Sequence, residues 1–186
     1  MPRVLVPLAE GCEELEAVGV IDILRRGGVE VVTAALEDGP ILASRGVRLL
    51  ADASLDAVRD QDFDMIVLPG GGPGAERLQA DARVIALLQR HAGAGRHVAA
   101  ICAAPKVLAA AGLLEGKRAT GYPGVLEALD LPATQLLRQA VVIDGKVITS
   151  QGPGTVIAFA LCLMEVLQGR AARERVEQGL RPGVDG

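Results

Sequence analysis

Residues 3–35 read RVLVPLAEGCEELEAVGVIDILRRGGVEVVTAA, and the rhythm of this stretch sets the fold. Arg3 to Ala9 is an apolar run of strand length. Leu15, Val18, Ile21 and Leu24 then recur at helical spacing, with Gly27-Gly28 as a stop signal, and Val29 to Ala35 is a second apolar strand. Strand, helix, strand over this length is a βαβ unit, and its crossover is right-handed.

The same alternation continues outward. After an Asp38-Gly39 turn, Pro40 to Ala43 and Val47 to Ala51 form a hairpin excursion. Met65 to Leu68 is a buried strand that ends in Pro69-Gly70-Gly71-Gly72, and Asp81 starts a helix reaching about His91. His97 to Ile101 is a strand that breaks at Cys102 into a helix over Pro105 to Ala111. Tyr122 to Leu131 reads as loop and a short helix. Val141 to Ile143 and Val147 to Ser150 flank Asp144-Gly145 as a hairpin, and Gly152-Pro153-Gly154 opens an apolar helix. The fold class is therefore α/β, with a mostly parallel sheet covered by helices on both faces. No repeat, linker or low-complexity tract interrupts it, so residues 1–186 are expected to be a single domain.

Composition narrows the partners. Half of the 186 residues are hydrophobic, which excludes a disordered chain. The aromatic residues are Phe63, Phe159 and Tyr122, and the net charge is -4. Neither base stacking nor phosphate neutralisation is served, so nucleic acid is not the expected partner. The longest apolar run, Val156 to Met164, has nine residues, whereas a membrane span needs about 20. The amino terminus carries no signal-peptide pattern, and a cytoplasmic location is expected. Cys12, Cys102 and Cys162 contain no Cys-x-x-Cys pair and no nearby His, so neither a disulfide framework nor a metal site is expected.

In open parallel sheets ligands bind beyond the carboxyl ends of the strands. That rule selects Glu10 to Glu16, Gly70 to Ala75, Cys102 to Ala104 and Ser150 to Thr155. Cys102, set between small residues where a strand meets a helix, has the layout of a nucleophile elbow, where the helix terminus lowers a thiol's pKa. The alternative is a small buried hydrophobe that ends a strand. Cys162 lies inside the apolar helix and reads as core, while Cys12 reads equally as an ordinary loop thiol. His97 begins the strand that Cys102 ends, roughly 16 Å away at about 3.3 Å per residue. His91 is delivered to the same wrong edge, so no Cys-His dyad is expected.

Carboxylates remain: Glu10, Glu13, Glu14 and Glu16. Three are expected to be solvated partners of a helix dipole. Glu16, one turn after Glu13, is the one expected to point inward, held neutral by burial so that it can donate to a thiolate. Gly70, Gly72 and Ala75 match a weak dinucleotide fingerprint that lacks its acidic residue, and no phosphate loop follows. An oxyanion role for the Gly74 and Ala75 amides is preferred, without a cofactor.

At these residues the chain resembles the ThiJ/PfpI superfamily, in its parkinsonism-associated deglycase branch. The resemblance rests on Leu8 to Glu16, Asp52-Ala-Ser-Leu55, Val67-Leu-Pro-Gly-Gly71 with Gly74-Ala75, Ala100-Ile-Cys-Ala103 and Thr149 to Thr155, and it covers nearly the whole chain. It implies a flavodoxin-like sandwich and a homodimer, with Cys102 as the reactive, oxidisable thiol and Glu16 as its protonated partner. Gly74 and Ala75 would supply amides near the thiol, and Arg45 would approach the site across the dimer. Ala103 stands where protease-like members have His, which argues against peptidase activity. Tyr122 replaces a His of that branch, and Gln151 replaces an Arg. The expected function is a cofactor-free thiol enzyme acting on methylglyoxal, glyoxal or their early adducts. The alternative is a redox-responsive chaperone or sensor that oxidises Cys102 without turnover.

Overall fold

The structure, a computed structural model, describes residues 1–180; residues 181–186 of the expected single domain lie outside the described residues. The elements in chain order are β1 (Arg3–Leu8), α1 (Glu14–Arg26), β2 (Glu30–Ala35), β3 (Ile41–Leu42), β4 (Arg48–Leu49), β5 (Ala53–Ser54), α2 (Leu55–Val58), β6 (Met65–Leu68), α3 (Gly72–Ala80) and α4 (Ala82–Gly93). They continue with β7 (His97–Ile101), α5 (Pro105–Ala110), β8 (Arg118–Ala119), β9 (Gln135–Leu136), β10 (Val141–Asp144), β11 (Val147–Ser150), a 3-10 turn at Pro153–Thr155, α6 (Val156–Gln168) and α7 (Arg170–Leu180). Seven strands form one sheet in the order β10-β11-β7-β6-β1-β2-β5. All pairs in it are parallel except β10 with β11. The α/β reading therefore holds, including the hairpin excursion, which forms the separate β3–β4 pair.

Val4, Leu5, Val6, Ile66, Leu68 and Ala99 to Ile101 are fully buried because β1, β6 and β7 are covered on both faces. That is why these strands read as unbroken apolar runs rather than alternating ones. Helices α1, α6 and α7 pack in one group and α3, α4 and α5 in another. Three helices escape the sequence reading, the four-residue α2 among them. Gly70 to Gly74 looks like loop, yet α3 starts at Gly72 with Pro73 in its first turn, where a missing N–H costs nothing. Helix α7 follows Gly169 with few apolar residues, its buried face marked only by Ala172 and Val176. Conversely, the segment after Tyr122 forms successive turns instead of a short helix.

The apolar spacing in α1 misplaced its inner face. Leu15 and Val18 are exposed, whereas Glu16, Ala17, Val20, Ile23 and Leu24 are buried. Ala17 is sealed inside the chain, and a side chain on Gly19 would meet Val156 at 3.1 Å. These small residues let α6 close on α1.

Two aspartates tie down local structure. Asp52 accepts hydrogen bonds from the Thr33 N–H (2.9 Å), the Thr33 hydroxyl (2.8 Å) and Arg25 (2.8 Å), which ties the β2 edge. Asp81 caps α4 through the Arg83 N–H (2.8 Å) and pairs with the Arg83 guanidinium. The Arg83 hydrogen bond is the main cause that holds the Asp81 carboxyl below its ordinary 3.8. A carboxylate lowered on folding stabilises fully above its unfolded value, and that contribution disappears as pH falls through the folded value. Asp81→Ala should therefore cost about 1 kcal/mol in urea unfolding at pH 7. The difference should shrink as pH drops below the ordinary Asp range, and a pH-independent difference would refute this account of the cap.

Candidate active site

The carboxyl ends of β1, β6, β7 and β11 converge on one point. Strand β7 delivers Cys102, whose N–H donates to Ser150 O at the end of β11 (3.0 Å) and whose own carbonyl accepts from the Tyr122 N–H (2.8 Å). With backbone pinned on both sides, Cys102 takes φ 64°, the only non-glycine residue with positive φ among the described residues. Left-handed backbone at a residue with a Cβ costs about 1–2 kcal/mol, and it turns the thiol out of the strand as an elbow does.

Strand β1 leads into α1 and places Glu16, which is completely buried. Its Oε2 accepts from the Gly70 N–H at 2.8 Å. Oε1 makes no well-formed hydrogen bond, and the Cys102 thiol is the side chain that acts on the carboxyl. Gly70 lies between the two: a Cβ there would stand 2.6 Å from both Cys102 Cβ and Glu16 Oε2. Burial pushes Glu16 up to about 7, against the pull of the Gly70 amide. Burial, and next the Glu16 charge, push the Cys102 thiol up to about 12, while the Gly71 and Ala103 amides pull it down. The lowering expected from the helix terminus is thus outweighed by desolvation. The pair gives up its first proton near neutrality, where the carboxyl titrates, and the thiol holds the other more tightly. A proton held on Glu16 Oε1 would make that otherwise unpartnered oxygen a donor to a thiolate.

A cavity of about 770 Å³ opens over the thiol, walled by Glu13, Ser44, Arg45, Gly71 to Pro73, Cys102, Ala103, Tyr122, Val125 and Pro153. It brings Cys102, Ala103, Arg45 and Tyr122 together at its wall, with Glu16 sealed off from it. Arg45 lines the cavity of its own chain, a placement that the expected approach across a dimer did not include. Gly74 and Ala75 need correcting. The Gly74 N–H donates to Gly11 O (3.2 Å) and the Ala75 N–H to Gly71 O (2.8 Å), so neither amide is free for an oxyanion. The amides that face the sulfur are those of Gly71 and Ala103. Gln151 lies apart, in a smaller cavity with Glu127 and Arg138.

The other two thiols do not line this cavity. Cys12 is fully buried and raised to about 11, first by burial and then by Glu14. Cys162 is partly buried in α6 and also raised by burial. His91 is buried at the opposite edge of the sheet, lowered by burial to about 4, and His97 lies beside Lys146. Gly70, Gly71 and Glu13 were missed as site residues. The glycine run was the available signal for the first two, since Gly71 at φ 86° abuts the backbone of Gly11 and Glu13. Nothing in the sequence separates Glu13 from its acidic neighbours. No group of three or more metal-ligating side chains occurs among the described residues, and no helix there is long and apolar enough to cross a membrane.

A strained cysteine at the carboxyl edge of a parallel sheet, backed by a buried glutamate, defines the class: an α/β protein with a thiol–carboxyl elbow. Residues 2–166 match the DJ-1/PfpI family, and the chain belongs to that family. It is 43% identical over 175 residues to protein DJ-1 homolog A of Arabidopsis thaliana, covering 93% of this chain and 45% of that protein. The chain thus spans less than half the length of the Arabidopsis relatives. It is 37% identical over 166 residues to the glutathione-independent glyoxalase DJR-1.2 of Caenorhabditis elegans, covering 89% of this chain and 88% of that one. The structure of oxidized DJ-1 from Toxoplasma gondii superposes with a TM-score of 0.93 at 40% identity, covering 99% and 100% of the two chains. These neighbours share the flavodoxin-like fold that the resemblance implied.

Proposed function

We propose that this protein is a cysteine-dependent, cofactor-free glyoxalase or protein deglycase acting on methylglyoxal, glyoxal or their early adducts, in defence against carbonyl and oxidative stress. The observation that carries this reading is the sealed Glu16 carboxyl beside the Cys102 thiol, facing an open cavity. The Cys102 thiolate adds to the aldehyde carbon, and the Gly71 and Ala103 amides steady the oxyanion of the hemithioacetal. Glu16 then moves the proton from the former aldehyde carbon to the neighbouring ketone carbon through an enediol. This oxidises one carbon at the expense of the other and leaves a thioester. Water releases a 2-hydroxy acid and restores the thiol, so atoms and electrons balance without a redox partner.

Arg45 and Tyr122 are proposed to bind the substrate at the cavity wall. A relative named as a glutathione-independent glyoxalase supports the chemistry, and Ala103, in place of a histidine, argues against peptidase activity. A homodimer is part of the proposal, supported by the exposed Leu15 and Val18 on α1 and Ile157 on the adjoining α6. The test is steady-state methylglyoxal consumption with lactate as product. Wild type should turn over and Cys102→Ala should fall to background. Equal rates would refute the thiol mechanism. No turnover in wild type, with selective peroxide oxidation of Cys102, would favour a redox sensor.

A further inference from the structure

The four carboxylates at the start of α1 do not behave alike. Glu10 turns to the β3–β4 hairpin and accepts from the Leu42 N–H (3.1 Å). Glu14 does the same with the Ser44 hydroxyl (3.0 Å), the Arg45 N–H (2.8 Å) and the Val47 N–H (3.4 Å). Glu16 is sealed beside Cys102. Glu13 alone stands at the cavity wall, and its Oε2 accepts from the Glu16 N–H at 2.8 Å. It thereby caps α1 from the usual position with an unusual residue, since a shorter Ser, Thr, Asp or Asn satisfies the same donor.

We propose that Glu13 is a positioning residue: its carboxylate fixes Glu16 beside Cys102 and, by its charge, holds the shared proton on that pair. The inference rests on Cys102 and Glu16 being the reacting pair. The groups that face the pair are few. From the end of β6 come the Gly70 and Gly71 amides, from the end of β7 the Ala103 amide, and from α1 only Glu13. Glu10 and Glu14 act on Cys12, as Glu13 also does, but of the three only Glu13 acts on Glu16. Across the cavity Glu13 meets Ser44 and Arg45 of the hairpin, and Tyr122. A negative charge beside a titrating carboxyl raises that carboxyl's proton affinity, which is the direction found for the effect of Glu13 on Glu16. A neutral cap would serve the helix equally well but would let the proton leave at lower pH.

Glu13→Gln separates the two roles, because the amide oxygen still accepts the Glu16 N–H but the charge is gone. The readout is iodoacetamide alkylation of Cys102 against pH, followed on the Cys102 peptide by mass spectrometry, with dicarbonyl turnover measured in parallel. Glu13→Gln should unfold at the wild-type urea concentration, and the rising limb of its alkylation profile should move to lower pH by about half a unit. Glu13→Asp, which restores the charge, should return the limb toward wild type. Superimposed profiles for wild type and Glu13→Gln would overturn the proposal, as would a failure of Asp to rescue the shift. Absence of dicarbonyl turnover in wild type would refute the enzymatic reading, while the alkylation profiles would still decide the role of Glu13.

Discussion

Glu16→Gln should leave the protein folded, move alkylation of Cys102 to higher pH and lower dicarbonyl turnover by about 10² or more, the usual scale for losing a general acid-base group. The variant keeps the volume, the acceptor for the Gly70 N–H and a donor aimed at the sulfur. It loses the group that titrates near 7. A protonated carboxyl is a stronger donor to the thiolate than an amide, so with Gln in its place the thiolate forms at modestly higher pH. Were Glu16 instead a solvated helix-start charge, the substitution would change stability by no more than about 0.5 kcal/mol and leave the thiol untouched. Its complete burial already argues against that. Iodoacetamide kinetics report the thiol and lactate formation reports the chemistry. Unchanged turnover would remove the acid-base role and leave Cys102 as at most a redox switch.

Gly71→Ala should cost about 3 kcal/mol or more, because left-handed backbone and a steric clash act together. Gly71 has φ 86°, and a Cβ there would press on the Gly11 carbonyl and approach Glu13 N at 2.7 Å and Cys12 C at 2.8 Å. Those atoms cannot retreat cheaply. The Glu13 N–H is bonded to Gly70 O (2.9 Å), and Gly11 O receives the Gly74 N–H. The substitution would also displace the amide that faces Cys102, so alkylation should change along with the urea midpoint. Gly72→Ala, one residue on, is the control: nothing lies within 4 Å of its Cβ position, and its backbone is not left-handed. Its stability should stay within about 0.5 kcal/mol of wild type. Equal losses at the two positions would mean that the loop, not the contact, is fragile.

What could be read in advance follows from what each signal encodes. The strands β1, β6 and β7 were legible because double-sided burial leaves continuous apolar runs, and Cys102 was legible because strand, small residues and Pro105 mark an elbow. Glu16 could be singled out from the turn spacing after Glu13. The amide assignment failed for a different reason. Whether Gly74 and Ala75 or Gly71 and Ala103 point at sulfur depends on where α3 begins, and a run of glycines hides a helix start. The inner face of α1 was misread because Leu15 and Val18 are apolar yet exposed, so hydrophobicity alone could not locate it. The long-range contacts of Arg45, 57 positions before Cys102 in the chain, left no local trace at all.

The cavity draws its parts from two kinds of structure, and that division bears on how the protein can change over evolution. Thiol, carboxyl and facing amides sit where β1, β6 and β7 end, against the buried core. Ser44 and Arg45 come from a two-residue-strand hairpin, and Tyr122, Val125 and Pro153 come from turns. Exchange of those loops can retune which small molecule is admitted without touching the thiol and carboxyl. A chain built this way can change what it binds by mutation of its turns and keep its reactive groups in place.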